Sequence, residues 1–477
     1  MSITRRAAAI TVAVLLIALT ACSRSGSTSS STTSAPAGSS TSSGAPGNGQ
    51  FGTLTDPVCG KAPAGETNTA SALGVTADSI SVGTISDTGY VGAPGLNQEL
   101  FDASKVFVDW CNSLGGINGR TIKVDKLDAA IFDYKQRVLD ACASDFSLVG
   151  GGGVADNTGQ NDRMSCLMPD FPGFVVNPLS RGADLQVQAI PFPLDRLNAG
   201  ILRYVAAQYP DSTNAVGYIT GNVAQTIVNK DQYQDAGKTL GFTTIYDEQY
   251  NAVGEPTWVP FAQAIKDKGV KGLYYVGEPA NLGKLLGALA QINYKLEWVA
   301  GSGNLYDQSL VDSAGAALST NPVYTATAVT PFLAADMVPA VAQYEELFAK
   351  YLPKGKNQAA LGLNSFTSWL LWAQSAKACG ADLTRKCLLA KGLATSSWNG
   401  GGLQAEANPA NHGSPPVCIA FEKASTESNP TGAFSLVNWN SSDGVYNCDT
   451  ENIVKLTGDY GKPAVLADVG KTENDVK

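Results

Sequence analysis

The chain has 477 residues, room for two or three domains, and a formal charge of −9 with only 16% charged residues. The 44% of hydrophobic residues supply a sizeable core, while the acidic balance argues against a nucleic-acid binder and a polybasic membrane patch. One histidine leaves little room for His-based zinc sites or a Ser-His-Asp triad, and nine cysteines is an odd count that needs a reason.

The N-terminus supplies that reason. Arg5 and Arg6 precede an apolar run at 7–19, too short to span a bilayer and suited to the core of a signal peptide. The run ends in Leu19-Thr20-Ala21-Cys22, which resembles the lipobox of bacterial lipoproteins. The resemblance implies cleavage before Cys22, so that 1–21 is a signal peptide, and acyl chains on Cys22 that hold the protein on the outer face of the cytoplasmic membrane. Residues 23–50 are nearly all Ser, Thr, Ala, Gly and Pro. Such a segment buries too little apolar surface to order itself, so 22–55 is expected to be the anchor and a flexible tether. Eight cysteines remain, an even set that favours disulfides in an exported chain. They allow 105 pairings; the expectation is that sequence neighbours pair, Cys59 with Cys111, Cys142 with Cys166, Cys379 with Cys387 and Cys418 with Cys448. The chain has no CxxC, so zinc-ribbon and thioredoxin readings lack their spacing.

From about residue 75 short β-rich runs alternate with helical patterns. Strands are expected at 80–85, 121–124, 146–149 and 174–176, with helices at 97–114 and 134–142; Leu100, Ala103, Val106, Phe107 and Trp110 mark the buried face of the first helix. A second series places helices at 197–208, 225–240, 260–268 and 281–292, and strands at 215–219, 243–246, 273–276 and 298–299. Strands separated by helices in this way argue βαβ units, and two such series argue two parallel sheets. Beyond 320 come an extended stretch at 323–329, helices at 335–351 and 366–378, and a Gly/Asn-rich tail with short strands at 417–421 and 433–439.

Several motifs fail on inspection. The run Gly151-Gly152-Gly153 lacks the third glycine of a dinucleotide fingerprint, because Asp156 stands there. Gly237-Lys238-Thr239 lies late in a helical pattern that ends at Gly241 and lacks the upstream P-loop glycine. There is no GxSxG elbow. His412 sits in a Pro/Asn/Gly-rich loop and is expected to be solvated, and Trp369 and Trp372 are expected in the core. Neither a cofactor nor a metal site is indicated.

Two further segments carry a family resemblance. Gly74-Val75-Thr76, Asp78, Ile80 and Val82-Gly83 open the first strand, and Leu114-Gly115-Gly116-Ile117-Asn118-Gly119-Arg120 forms the turn after the first helix. With Gly269-Val270-Lys271-Gly272 before the Tyr274-Tyr275 strand, they resemble the branched-chain amino-acid-binding (leucine/isoleucine/valine-binding) type of solute-binding protein that serves ABC importers. The resemblance implies an α/β fold of two Rossmann-like lobes with parallel sheets, joined by a three-crossover hinge, the type I periplasmic-binding-protein fold. With the strand pattern it places lobe one at 75–193 plus 327–398, lobe two at 194–326 plus 399–455, and a C-terminal tail at 456–477.

In open parallel α/β sheets ligands sit beyond the carboxyl ends of the strands, where helix N-termini offer free N–H groups. That rule points to loops 86–90, 151–158 and 177–180 of lobe one, and 220–224, 277–281 and 301–306 of lobe two. The candidate ligand-binding residues are Tyr90, Gly153, Val154, Ala155, Asp156, Ser180, Asn222, Glu278 and Ser302. The serine that the family uses in the second loop is absent here, leaving backbone N–H groups and Asp156, Asn157 or Thr158. The family's acidic grip on an ammonium group is absent from Gly301-Ser302-Gly303, and Glu278, one strand earlier, is the candidate to supply it. For both Asp156 and Glu278 the alternative is a carboxylate that serves only a helix N-terminus. The resemblance implies a non-enzymatic monomer that captures a small polar ligand, an amino acid or related amide, and hands it to an ABC permease; a ligand-sensing lipoprotein of the same fold that signals to a membrane partner is the alternative. A secreted hydrolase would need a nucleophile–base pair, and none is found.

Overall fold

The structure is a computed structural model that describes residues 49–477. The expected signal peptide at 1–21, the expected anchor at Cys22 and the expected tether up to residue 48 lie outside the described residues.

Lobe one is built from β1 (Ser79–Ser86), α1 (Gln98–Ser113), β2 (Thr121–Asp128), α2 (Tyr134–Ser144), β3 (Leu148–Val149), α3 (Gln160–Ser165) and β4 (Asp170–Phe171). Its strands form one parallel sheet in the order β2-β1-β3-β4. Helix α1 buries all five residues of its expected apolar face. The turn after it needs left-handed backbone at Gly115, Gly116, Asn118 and Gly119, and a Cβ on Gly116 would lie 1.9 Å from the Arg120 carbonyl oxygen. Arg120 is fully buried and donates to the carbonyls of Thr69, Thr76, Gly380 and Ala381. The arginine of this turn therefore ties the first lobe together. The strand expected at 174–176 does not form: Pro172 and Gly173 interrupt the extended run, and the edge strand is β4, four residues earlier.

Short β5 (Arg196–Asn198) leads into lobe two: α4 (Gly200–Gln208), β6 (Val216–Gly221), α5 (Ala224–Thr239), β7 (Thr244–Tyr250), α6 (Val259–Asp267), β8 (Gly272–Val276), α7 (Pro279–Gln291), β9 (Trp298–Gly301), α8 (Gln308–Ala314) and β10 (Val323–Thr327). Helix α5 stops where Gly241 takes a left-handed φ of 88°, as the sequence predicts for a helix end. The chain then returns to pack α9 (Pro339–Tyr351), α10 (Ala360–Lys377) and α11 (Arg385–Leu393) on lobe one. Trp369 and Trp372 of α10 are fully buried there and donate to Ser104 and Ser147. Strands β11 (Ile419–Ser425), β12 (Ala433–Leu436) and β13 (Tyr446–Asn447) complete the second sheet by antiparallel pairing, in the order β12-β11-β10-β9-β8-β6-β7 with β13 also on β11.

Three chain crossings join the lobes and are knitted to one another. Gln404 donates to the Ala189 carbonyl, Thr330 N–H to the Leu403 carbonyl, and the Asn198 amide to the carbonyls of Pro416 and Val417. The last strand, β14 (Ile453–Lys455), pairs antiparallel with β5. The segment at 456–477, expected as a tail outside both lobes, then packs on lobe one: Ala464, Leu466 and Val476 are buried in its core, and Leu466 N–H donates to Asp184.

Among the described residues four disulfides form, Cys59–Cys111, Cys142–Cys166, Cys379–Cys387 and Cys418–Cys448. Residues 49–55, expected as the end of the tether, join the folded part instead. Phe51 is fully buried against Trp110 and Phe366, and Gln50 and Thr53 bond to Gln343 and Gly401. His412 is half-buried rather than solvated; it packs on Gly182, and burial lowers its pKa. Among the described residues no helix is long and apolar enough to cross a membrane, and no cluster of His, Cys, Asp or Glu is placed to hold a metal.

Candidate functional site

A cavity of about 790 Å³ lies between the lobes, at the carboxyl ends of both sheets. Lobe one contributes Tyr90, Ile131, Phe132, Val154, Phe174 and Val176 to its wall. Lobe two contributes Asn222, Tyr250, Val253, Glu278, Ser302 and Asn304. The hinge adds Gln188, Ile190 and Phe192.

Of the residues picked from sequence, Tyr90, Val154, Asn222, Glu278 and Ser302 line this cavity. Glu278 stands at the N-cap position of α7 but its side chain does not cap that helix. Its carboxylate instead accepts from Asn281 Nδ2 at 2.8 Å and from Tyr250 Oη at 3.2 Å. Burial pushes its pKa up, and no ion pair is formed with it among the described residues. Burial and this carboxylate together raise the pKa of Tyr90, on the facing lobe. Ser302 donates to Asn304 Oδ1 at 2.5 Å, and Asn304 Nδ2 donates to the Gly277 carbonyl, so the two polar residues brace the loop that carries Glu278. Asn222 accepts from Ala252 N–H and fixes the loop after β7.

Gly153, Ala155, Asp156 and Ser180 do not reach the cavity. Gly153 is a packing glycine, since a Cβ would lie 2.6 Å from the Tyr134 ring. Ala155 sits behind Tyr90 and Ile131 in a small apolar cluster. Asp156 is fully buried, and its two oxygens accept from Val176 N–H at 2.8 Å and Asn177 N–H at 3.0 Å. Burial pushes its pKa up to about 7, against the pull of those N–H groups, Ser180 and Arg181. It does not line the cavity: it ties two loops together, with Ser180 buried beside it.

Sequence reasoning passed over the loop after β2. There Ala130 and Ile131 take left-handed φ values of 43° and 70°, costly for a β-branched residue. Ile131 N–H is held by Asp87 Oδ1 at 2.8 Å, and the bend presents Phe132 at the cavity mouth. An apolar Ala130-Ile131-Phe132 run between strand and helix was the available signal. Also missed was a charge trio: Lys356 bonds Glu99 of α1 at 2.9 Å and Asp307, the N-cap of α8, at 2.7 Å.

Two α/β lobes, one on a parallel sheet and one on a mixed sheet, hinged by three crossings over an interlobe cavity, form a known arrangement, and residues 195–427 match the family model described as periplasmic binding protein. The fold is that of the type I periplasmic binding proteins. Similar solved structures include a fatty acid ABC transporter substrate-binding protein from Thermomonospora curvata, at 18% identity and a TM-score of 0.65, covering 80% of this chain and 97% of that one. The leucine binding protein LivK from Thermotoga maritima matches at 13% identity and a TM-score of 0.61, over 75% and 98% of the two chains. The branched-chain amino acid transporter substrate-binding protein LivJ from Streptococcus pneumoniae, solved with isoleucine, matches at 15% and 0.60, over 76% and 99%. Among curated proteins none matches the sequence. All three structures are described as binding proteins.

Proposed function

We propose that the chain is an extracytoplasmic solute-binding lipoprotein that takes a ligand between its lobes and delivers it to an ABC permease, anchored through Cys22. The observation that carries this reading is the 790 Å³ cavity walled by strand-end loops of both lobes, the size range of small-molecule sites. In this reading the lobes comprise 75–193 with 327–398, and 194–326 with 399–455; they bend about the knitted crossings and act as a monomer. The ligand is an amino-acid-related amine or amide whose nitrogen is held in part by Glu278, which among the described residues is the one cavity carboxylate without an ion-pair partner. Titration with amino acids of each charge class, amides, polyamines and sugars tests it. One ligand per chain, a smaller scattering radius and a stabilisation of about 2.7 kcal/mol at 100-fold excess over Kd are expected. A panel that moves neither melting temperature nor scattering refutes the reading.

A further inference from the structure

The solute-binding reading leaves open what kind of molecule the cavity accepts, and three observations narrow it. The first is bulk and wall chemistry. A water-sized group takes about 30 Å³, so the 790 Å³ cavity offers roughly three times the space that a free leucine fills. Tyr90, Phe132, Phe174, Ile190, Phe192 and Val253 make most of its wall apolar. At the mouth, Phe132 on lobe one is 80% exposed and Val253 on lobe two is 59% exposed, so hydrocarbon at the entrance finds apolar partners on both sides.

The second observation concerns anions. Backbone N–H groups at strand ends are where a carboxylate would bind in such a fold. Here four of them are taken by the protein's own carboxylates. Asp87 accepts from Ile131 and Val154 N–H, both at 2.8 Å, and Asp156 accepts from those of Val176 and Asn177. The third is cations. Lys356, the only lysine or arginine on the cavity wall among the described residues, is held by Glu99 and Asp307 together. The buried Arg181 behind the wall stacks on Phe192 and donates to the Val176 carbonyl. Glu278 forms no ion pair among the described residues, and only the more distant Lys284 of α7 acts on its charge, so its end of the cavity favours a donor or a positive charge.

We propose that the ligand is a bulky, mainly hydrocarbon molecule whose polar end is an N–H donor, an ammonium or an amide, and not a carboxylate. Its head meets Glu278 on lobe two and its apolar body lies along Tyr90, Phe174 and Ile190 toward Phe132. A free zwitterionic amino acid or a fatty acid brings a carboxylate to a lobe where these four N–H groups are already occupied. This rests on the solute-binding reading.

Calorimetric titration of the whole chain with decylammonium, decanamide, decanoate and leucine tests the proposal. Decylammonium should bind most tightly and decanamide next, with decanoate and leucine at least tenfold weaker than decylammonium. Glu278→Gln should weaken decylammonium at least tenfold and leave decanamide within about threefold. Decanoate or leucine binding as tightly as decylammonium overturns the ligand class while leaving solute capture intact, and this comparison needs no variant. Unchanged decylammonium affinity in Glu278→Gln overturns the placement of the head. Failure of all four probes and of the wider solute panel to bind overturns both readings.

Discussion

Replacing Gly277 with alanine disturbs the Glu278 anchor without altering any charge. Gly277 follows β8, and a Cβ there would lie 2.0 Å from Tyr250 Oη, whereas ordinary contact begins at 3.4 Å. One of the two groups must therefore yield by about 1.4 Å. Tyr250 has little freedom: it is 1% exposed, stacks on Tyr275 with centroids 5.7 Å apart, and leans on Trp258. Movement of either group stretches the 3.2 Å bond from Tyr250 Oη to Glu278 beyond hydrogen-bond range. Overpacking of this kind costs about 1–3 kcal/mol of stability. With an unfolding entropy of about 2.1 cal/mol/K per residue, the melting temperature falls by only about 1–3 °C. The lost bond to a carboxylate is worth about 1.5–3 kcal/mol, so ligand affinity should fall about 10–100-fold. Gly287→Ala is the control. Gly287 lies inside α7, a Cβ there meets nothing within 4 Å, and alanine should add about 0.5–1 kcal/mol without changing affinity. Calorimetric melts and titrations of both variants provide the assay. Wild-type affinity in Gly277→Ala would refute the reasoning, because the crowded tyrosine would then not be supporting the ligand site.

Glu422 of β11 is fully buried, accepts from Thr325 and Thr327 at 2.8 Å, and has its pKa pushed up to about 8 by burial. Its folded form keeps a proton that the unfolded chain loses near 4.5, so stability is full below about pH 4.5 and declines until about pH 8. At about 1.4 kcal/mol per pH unit, the decline reaches about 3 kcal/mol by pH 7. The melting temperatures of Glu422→Gln and wild type should therefore diverge by several degrees between pH 4.5 and 8.5, with the variant higher; parallel profiles would contradict this. Asp307→Asn keeps the cap on Ser309 N–H but removes the charge that Lys356 reaches from lobe one. A loss of about 1–2 kcal/mol shifts the closed-to-open ratio about 5–30-fold, at the lower end because Glu99 is relieved of Asp307's repulsion. Scattering of the ligand-free chain should show a larger radius, and an unchanged radius would count against this pair as a closing contact.

The parts of the fold that sequence made legible are those governed by periodicity. The apolar face of α1, the alternation of strands and helices in both lobes, and the stop of α5 at Gly241 all follow from spacing and glycine chemistry. Side-chain direction was harder to read. Asp156 and Ser180 lie in the expected strand-end loops, yet both turn inward: the buried N–H groups of Val176 and Asn177 take the Asp156 carboxylate as acceptor, and Ser180 is buried beside it. Glu278 lies in an equivalent loop and faces the cavity, because Tyr250 and Asn281 hold its carboxylate there rather than on its own helix end. Phe51 is embedded in tether-like composition, and only its partners Trp110 and Phe366, distant in sequence, reveal it as core. The same distance in sequence hides the trio of Glu99, Asp307 and Lys356.

The most direct test of the central claim is the mass of whatever the chain carries through gentle purification, read by native mass spectrometry. One small molecule per chain is expected, nitrogen-bearing, rich in hydrocarbon and without a free carboxylate; if it is an amine, it should be lost when Glu278 is replaced by glutamine. A bound fatty acid or free amino acid that persists in that variant would contradict it.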